Sequence, residues 1–258
     1  MPAACGVHPE MTAERGHGLA VSRYAVKAFT EEHVDRPNNR STLARRHFVA
    51  GLAGASLAPL APLSHAQGGN RPSPTQTLGP FYPRNAAERP RSIDADLITV
   101  DGDRVVTKGT PLFLIGRVTD RSGEVIAGAT VEIWQCDANA VYHHPAGGAE
   151  AERDAYFQGY GVDRTDSKGE FRFRTIIPVA YPGRTPHIHV RVQPSSGRAF
   201  ATQLYLPGDA GNARDFLFSR LTPEEQRALL LVIEPTRDPA HPLARATRFT
   251  GRTELVLA

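Results

Sequence analysis

Residues 187–193 read HIHVRVQ. Successive side chains of a strand point to opposite faces, so Ile188, Val190 and Val192 share one side and His187, His189, Arg191 and Gln193 the other. The isoleucine–valine side is wholly apolar, which predicts a strand with one face in a sandwich core. The histidine side faces outward, toward whatever covers the strand. On it the two imidazoles start ~6.5–7 Å apart, two residue rises along the chain. That is close enough to grip one metal ion, and equally compatible with an ordinary polar strand face.

Outward from this stretch the same alternation recurs. TPLFLIGRVTD (110–120), AGATVEIWQCD (127–137), GEFRFRTII (169–177), FATQLYL (200–206) and the terminal TELVLA read as further strands. In GEFRFRTII, Phe171, Phe173 and Thr175 oppose Arg172 and Arg174. Turn signals such as Arg-Ser-Gly separate the runs. One helix is predicted after Thr222, with proline at its first position and Glu224 and Glu225 in its first turn. Leu229, Leu230 and Val232 would form its apolar face. Residues 67–92 are rich in Pro, Gly, Ser and Thr and read as an extended arm. The fold class is therefore mainly β: a β-sandwich core with long loops and a short C-terminal helix.

The composition is that of a globular chain, with 22% charged and 40% hydrophobic residues in 258. The net charge is +3, and residues 1–66 contribute seven basic and five acidic side chains to it. The remainder is nearly neutral, so no basic stripe suggests a nucleic-acid partner. With only Cys5 and Cys136, the thiol-rich zinc sites are excluded.

Residues 41–67, STLARRHFVAGLAGASLAPLAPLSHAQ, have the parts of an export signal. Arg45 and Arg46 form a charged end, 48–63 an uncharged apolar run, and Ser64-His65-Ala66 a small-residue cleavage site. The paired arginines resemble a twin-arginine signal. A membrane anchor is the alternative, but the run is short and broken by Pro59 and Pro62. Met11 is an alternative start. The division expected is thus an N-terminal extension with signal over 1–66 and a β-sandwich domain over 67–258. Export to the periplasm or beyond follows, without stable membrane insertion.

Two tyrosines bear on the histidine pair. Tyr142 lies in WQCDANAVYHHP, past a predicted strand end where sites are often built. Tyr181 lies in a Pro-Gly turn six residues before His187. Phenolate is a hard anionic ligand suited to Fe(III), whose charge holds a phenol ionised below its usual pKa of ~10. A zinc or Fe(II) site more often offers a carboxylate, and no Asp or Glu occurs between Tyr181 and Gln193. Each tyrosine alone also suits core packing.

Taken in order, PTQTLGPFYP, LFLIGRVTDRSGEVIAGATVEIWQCDANAVY, TDSKGEFRFRTIIPVAYP, RTPHIHVRV and ATQLYLPGD, spread over residues 74–209, resemble the intradiol ring-cleavage dioxygenases of the protocatechuate 3,4-dioxygenase and catechol 1,2-dioxygenase type. The resemblance implies a non-haem ferric ion held by Tyr142, Tyr181, His187 and His189. It implies that the substrate displaces Tyr181, which takes a proton, that Arg184 stabilises negative charge on the ring, and that Gln203 orients substrate or oxygen. The reaction implied is cleavage of a catechol between its two hydroxylated carbons with O2, giving a cis,cis-muconate. Catechol-type small molecules and O2 are then the partners, and a homo-oligomer is expected. The alternatives are a non-catalytic exported β-sandwich binding protein and a zinc enzyme on the same histidines. One departure stands out: only five residues separate Tyr181 from His187, fewer than in well-known members. The register of Arg184 depends on that shortening, and Tyr160 is the alternative second tyrosine. Near the site, His143 and His144 read as exposed turn residues, Trp134 as core, and Cys136 as a small buried hydrophobe. Arg153 and Asp154 open a segment that could close over the site. Arg153, Arg164 and Arg191 are candidate cations for a carboxylated ring.

Overall fold

Strand alternation becomes two facing sheets in the computed structural model, which describes residues 70–89, 93–101, 104–237 and 240–258. The export signal expected within 41–67 lies outside the described residues. A small ribbon, β1 (Val100–Asp101) with β2 (Arg104–Val105), precedes the sandwich. The main strands are β3 (Pro111–Asp120), β4 (Thr130–Trp134), β5 (Tyr160–Arg164), β6 (Glu170–Ile176), β7 (His187–Gln193) and β8 (Phe200–Tyr205). The helix α1 (Pro223–Leu229), β9 (Val232–Pro235) and β10 (Phe249–Leu257) complete the chain. One sheet runs β6-β3-β10-β9 and the other β5-β4-β7-β8. All pairings are antiparallel except β3 with β10.

The core lies between the sheets and takes the apolar side of each strand. Leu112 and Leu114, Val131 and Ile133, Phe171 and Phe173, and Ile188, Val190 and Val192 are all buried in it. Removing each such side chain from water contributes about 1.5–3 kcal/mol. Gly116 makes room for the Phe171 ring of the neighbouring strand β6, since a Cβ there would lie 2.1 Å from that ring.

The helix has the predicted cap: the Thr222 hydroxyl accepts from the Glu225 N–H while the Glu225 carboxylate accepts from the Thr222 N–H. Its apolar face is shorter than predicted. Leu229 is buried, but Leu230 already leaves the helix, and the Leu231 N–H donates to the Tyr205 carbonyl instead. Val232 belongs to β9 and is exposed. Among the described residues no helix is long and apolar enough to cross a membrane.

β5 is not expected from the sequence, where Arg153, Asp154 and the residues after them suggest a segment closing over the site. The strand pairs with β4 and is flanked on its other side by 94–98, with Val162 N–H donating to the Asp94 carbonyl. The result sets the outer face of the β5-β4-β7-β8 sheet. Across it, Tyr160 stands opposite Trp134, Trp134 opposite His189, and His189 opposite Gln203.

Candidate metal centre

What covers β7 is the arm. Residues 74–77 run along β8: Gln76 N–H donates to the Ala201 carbonyl, the Thr202 hydroxyl to the Pro74 carbonyl. The arm then turns over the sheet at Gly79, whose φ is +71 and whose missing Cβ would lie 3.3 Å from Cε1 of His189. Phe81 follows and stacks on Tyr142 with ring centroids 4.3 Å apart. His187 and His189 are each only 2% exposed as a consequence. The outward face of the strand is therefore an interior, closed by residues more than a hundred positions earlier.

The histidine rings are held differently. Nδ1 of His187 lies 2.7 Å from the Thr185 carbonyl. A carbonyl only accepts, so Nδ1 carries the proton and Nε2 is left with its lone pair. Around that atom three polar groups crowd: His189 Nε2 at 3.2 Å, Tyr142 Oη at 3.4 Å and an Arg184 terminal nitrogen at 3.4 Å. His189 Nδ1 is buried without a partner among the described residues. Its ring is fixed by stacking on Trp134, centroids 4.8 Å apart and planes 7° apart.

Burial, aided by the Arg184 cation, pushes the His187 imidazole down to about 4. Burial, then His187 and Arg184, holds His189 well below its ordinary value. Both rings are neutral near pH 7, ready to donate electron pairs. Burial raises the Tyr142 phenol well above its usual range. It ionises only against a strong local cation. Tyr181 is raised too, mainly by burial, with Arg184 pulling the other way. Its ring lies 5.5 Å from that of Tyr142 and 5.6 Å from that of His187. It sits half-buried in a turn closed by the Arg184 N–H on the Tyr181 carbonyl.

Arg184 and Gln203 meet. The guanidinium donates to the Gln203 side-chain oxygen at 2.6 Å and pairs with Asp215 at 2.7 Å. Thus Tyr142, Tyr181, Arg184, His187, His189 and Gln203 come to one place. Tyr160 does not join them: its hydroxyl donates to Glu132 at 2.5 Å, in a partly buried polar cluster with Tyr82 and Arg191. His143 and His144 are half-buried rather than exposed, paired with Asp137 and Glu88. Cys136 is buried, its thiol pushed up to about 12 by burial and by Asp137. Arg191 is engaged with Glu132, Arg153 reaches the His144 carbonyl, and Arg164 is exposed at the end of β5. Asp154 is buried, its carboxylate on the Lys108 N–H.

Sequence reasoning does not single out Gly79, Phe81, Trp134 or Asp215 for the site. A Gly-Pro turn followed by aromatics in TLGPFYP is the one local signal for the first two. Asp215 has none. Among the described residues no three His, Cys, Asp or Glu side chains gather as a metal group. The donors here are instead two neutral imidazoles and two phenols, a set that fits a hard, highly charged cation.

A family model described as Dioxygenase matches residues 78–246, which contain every donor above. The protocatechuate 3,4-dioxygenase beta chain of Burkholderia cepacia is 36% identical over 163 residues, 58% of this chain and 67% of the relative. The 6-chlorohydroxyquinol 1,2-dioxygenase of Cupriavidus pinatubonensis is 31% identical over 159 residues, 55% of this chain and 53% of the relative. Among solved structures, the dioxygenase domain of a dioxygenase carbohydrate-binding protein fusion from Streptomyces sp. SirexAA-E superposes with a TM-score of 0.53 at 32% identity. That match covers 72% of this chain and 98% of the other. The chain spans two thirds of the first curated relative and about half of the second.

Proposed function

This chain belongs to the intradiol ring-cleavage dioxygenases, and from that premise we propose that it is an exported ferric enzyme opening catechol-type rings between their two hydroxylated carbons with O2. The single observation that carries the reading is the meeting of Tyr142 Oη, His189 Nε2 and the His187 lone pair within 3.4 Å, inside a site closed by the arm. Tyr142, Tyr181, His187 and His189 would hold the ferric ion. Once bound, that ion supplies Lewis acidity, which keeps phenols ionised and draws the protons from a catechol.

The chain's own residues do the rest. The two imidazoles need shed no proton to act as ligands at neutral pH. Tyr181 is the one donor of the four left half-exposed, and it sits beside Pro182 and Gly183. It is the phenolate free to swing aside and take a substrate proton at its oxygen. Arg184 presents its cation next to that hydroxyl, where it stabilises negative charge appearing on the ring. Gln203, locked by Arg184, orients the reacting partner. Phe81, Gly79 and Trp134 exclude water from the imidazoles. Export is supported by Arg45 and Arg46 ahead of the apolar run 48–63.

The test is iron content, visible absorption and oxygen uptake of the purified chain on catechol, protocatechuate and hydroxyquinol. The expected result is one iron per chain, a red-brown tyrosinate band that shifts with catechol under anaerobic conditions, and one O2 consumed per ring. A colourless protein that takes up no ferric iron, or a ferric-loaded one that consumes no oxygen with any of the three, overturns the proposal.

A further inference from the structure

We propose that Asp215, in the loop between β8 and α1, is a positioning residue that aims Arg184 into the site; the inference rests on the ring-cleaving function above. Asp215 lies 31 residues beyond Arg184, and its carboxylate has no exposure to solvent. Its two oxygens do separate jobs. Oδ1 accepts from the Leu217 and Phe218 N–H groups at 3.0 and 2.9 Å, which fixes the carboxylate in its own loop. Oδ2 accepts from Arg184 Nε at 2.7 Å and from the Thr185 N–H at 3.0 Å.

A guanidinium is a rigid planar fork, so holding two edges fixes the third. Asp215 holds the Nε edge and Gln203 one terminal nitrogen. The other terminal nitrogen is thereby turned toward His187 Nε2. Phe216 lies over the guanidinium at 5.1 Å and closes its outer side. The clamp also reaches the histidine. Thr185, whose N–H Asp215 accepts, receives the His187 Nδ1 proton on its carbonyl. One carboxylate thus anchors the backbone between the arginine and the first imidazole. Burial alone would raise the Asp215 pKa, but the Arg184 bond and the backbone N–H donors outweigh it and hold the carboxyl below its usual value. The clamp is a charged one.

Asp215→Asn separates these jobs. The amide oxygen keeps the loop contacts on Leu217 and Phe218, while its NH2 faces two donors, Arg184 Nε and the Thr185 N–H. A misplacement on the order of 1 Å costs about 10²-fold in rate. With ferric iron loaded and quantified in every variant, Asp215→Asn is expected to lose about a hundredfold in kcat with KM changed less than about threefold. Arg184→Ala should lose at least as much, and the double variant no more than Arg184→Ala alone, because the carboxylate acts through the arginine. A folded, iron-loaded Asp215→Asn protein with kcat within about threefold of the parent, or losses that multiply in the double variant, overturns the proposal. If Asp215→Asn does not fold, Asp215→Ser takes its place under the same criteria; its hydroxyl can cap Leu217 and Phe218 but cannot reach Arg184. Another readout needs neither iron nor turnover. In the metal-free protein the Arg184 Nε–H resonance, assigned by its loss in Arg184→Ala, should be protected from solvent exchange, and Asp215→Asn should remove that protection. An unprotected Arg184 Nε–H in the parent overturns the clamp whatever the enzyme turns over, whereas absent turnover with the proton protected overturns only the proposed function.

Discussion

Gly79 stands where the arm turns above His189, and replacing it with alanine tests whether the arm sets the metal site. The backbone there has φ +71, a left-handed conformation that costs an L-residue about 1–2 kcal/mol. Gly208 has the same φ of +71, but a Cβ there meets nothing within 4 Å among the described residues. Both substitutions carry the same strain, so both should lower the melting temperature of the metal-free protein by roughly 2–8 °C for a domain of this size. Only Gly79→Ala adds a clash, a Cβ 3.3 Å from Cε1 of His189. The ring must give by a few tenths of an ångström, yet it is buried and stacked on Trp134. Metal–ligand distances tolerate about 0.2 Å, and disturbing a ligand's supports costs roughly 10–100-fold in metal affinity. Iron release to an excess of chelator should therefore be at least tenfold faster in Gly79→Ala than in Gly208→Ala. Equal release from the two variants would refute the reasoning, since it would show that the arm's contact with His189 does not position the ligand.

Two further outcomes follow from the geometry. Tyr160→Phe should retain iron and its visible band while losing about 1–3 kcal/mol in denaturant unfolding, because its hydroxyl serves the buried Glu132 and not the metal; Tyr181→Phe should shift the band, and a reversed pattern would make Tyr160 the second ligand. Cys136 has a folded pKa of about 12 against 9.0 when free, raised by burial and Asp137. Between those values the unfolded chain has lost a proton that the folded one keeps, so stability is intact below pH 9 and falls as pH rises through the window. Cys136→Ala should flatten that decline by up to ~1.4 kcal/mol per pH unit, read from urea midpoints at pH 8 and 10, and identical slopes would place the thiol in water.

The alternating runs are legible because burial on one face imposes a period of two. HIHVRVQ forms β7 from its first residue to its last, and GEFRFRTII forms β6 with Phe171 and Phe173 inside. β5 is not legible. YGVDR has a glycine near its start and polar ends, and its pairing depends on the 94–98 segment packing beside it; a Cβ at Gly161 would lie 2.5 Å from Leu97. Val232 is misplaced on the helix for a related reason. A continuous apolar run hides the point where Leu230 turns away to let Leu231 bond Tyr205. His143 and His144 suggest exposed turn residues because their partners, Asp137 within the same loop and Glu88 on a distant one, leave no local pattern.

The five-residue link between Tyr181 and His187 is held in place by tertiary contacts. Five residues must reverse direction from a turn into β7 while keeping a phenol, a guanidinium and an imidazole on one side. The Arg184 N–H closes the turn on the Tyr181 carbonyl, and Gly183, at φ +85, supplies the left-handed step that it needs. Thr185 then faces Asp215, Asp209 and Asn212, with its N–H on the first and its hydroxyl on the other two. The 209–215 loop, arriving from after β8, thus supplies the rigidity that a longer connection would have had to build from its own packing. The motifs quoted from the sequence end at Asp209, yet the geometry assigns the loop beyond it the support of both Arg184 and His187. Motif residues can be matched along the chain, whereas the groups that hold them at working distances are set by folding and become visible only in three dimensions.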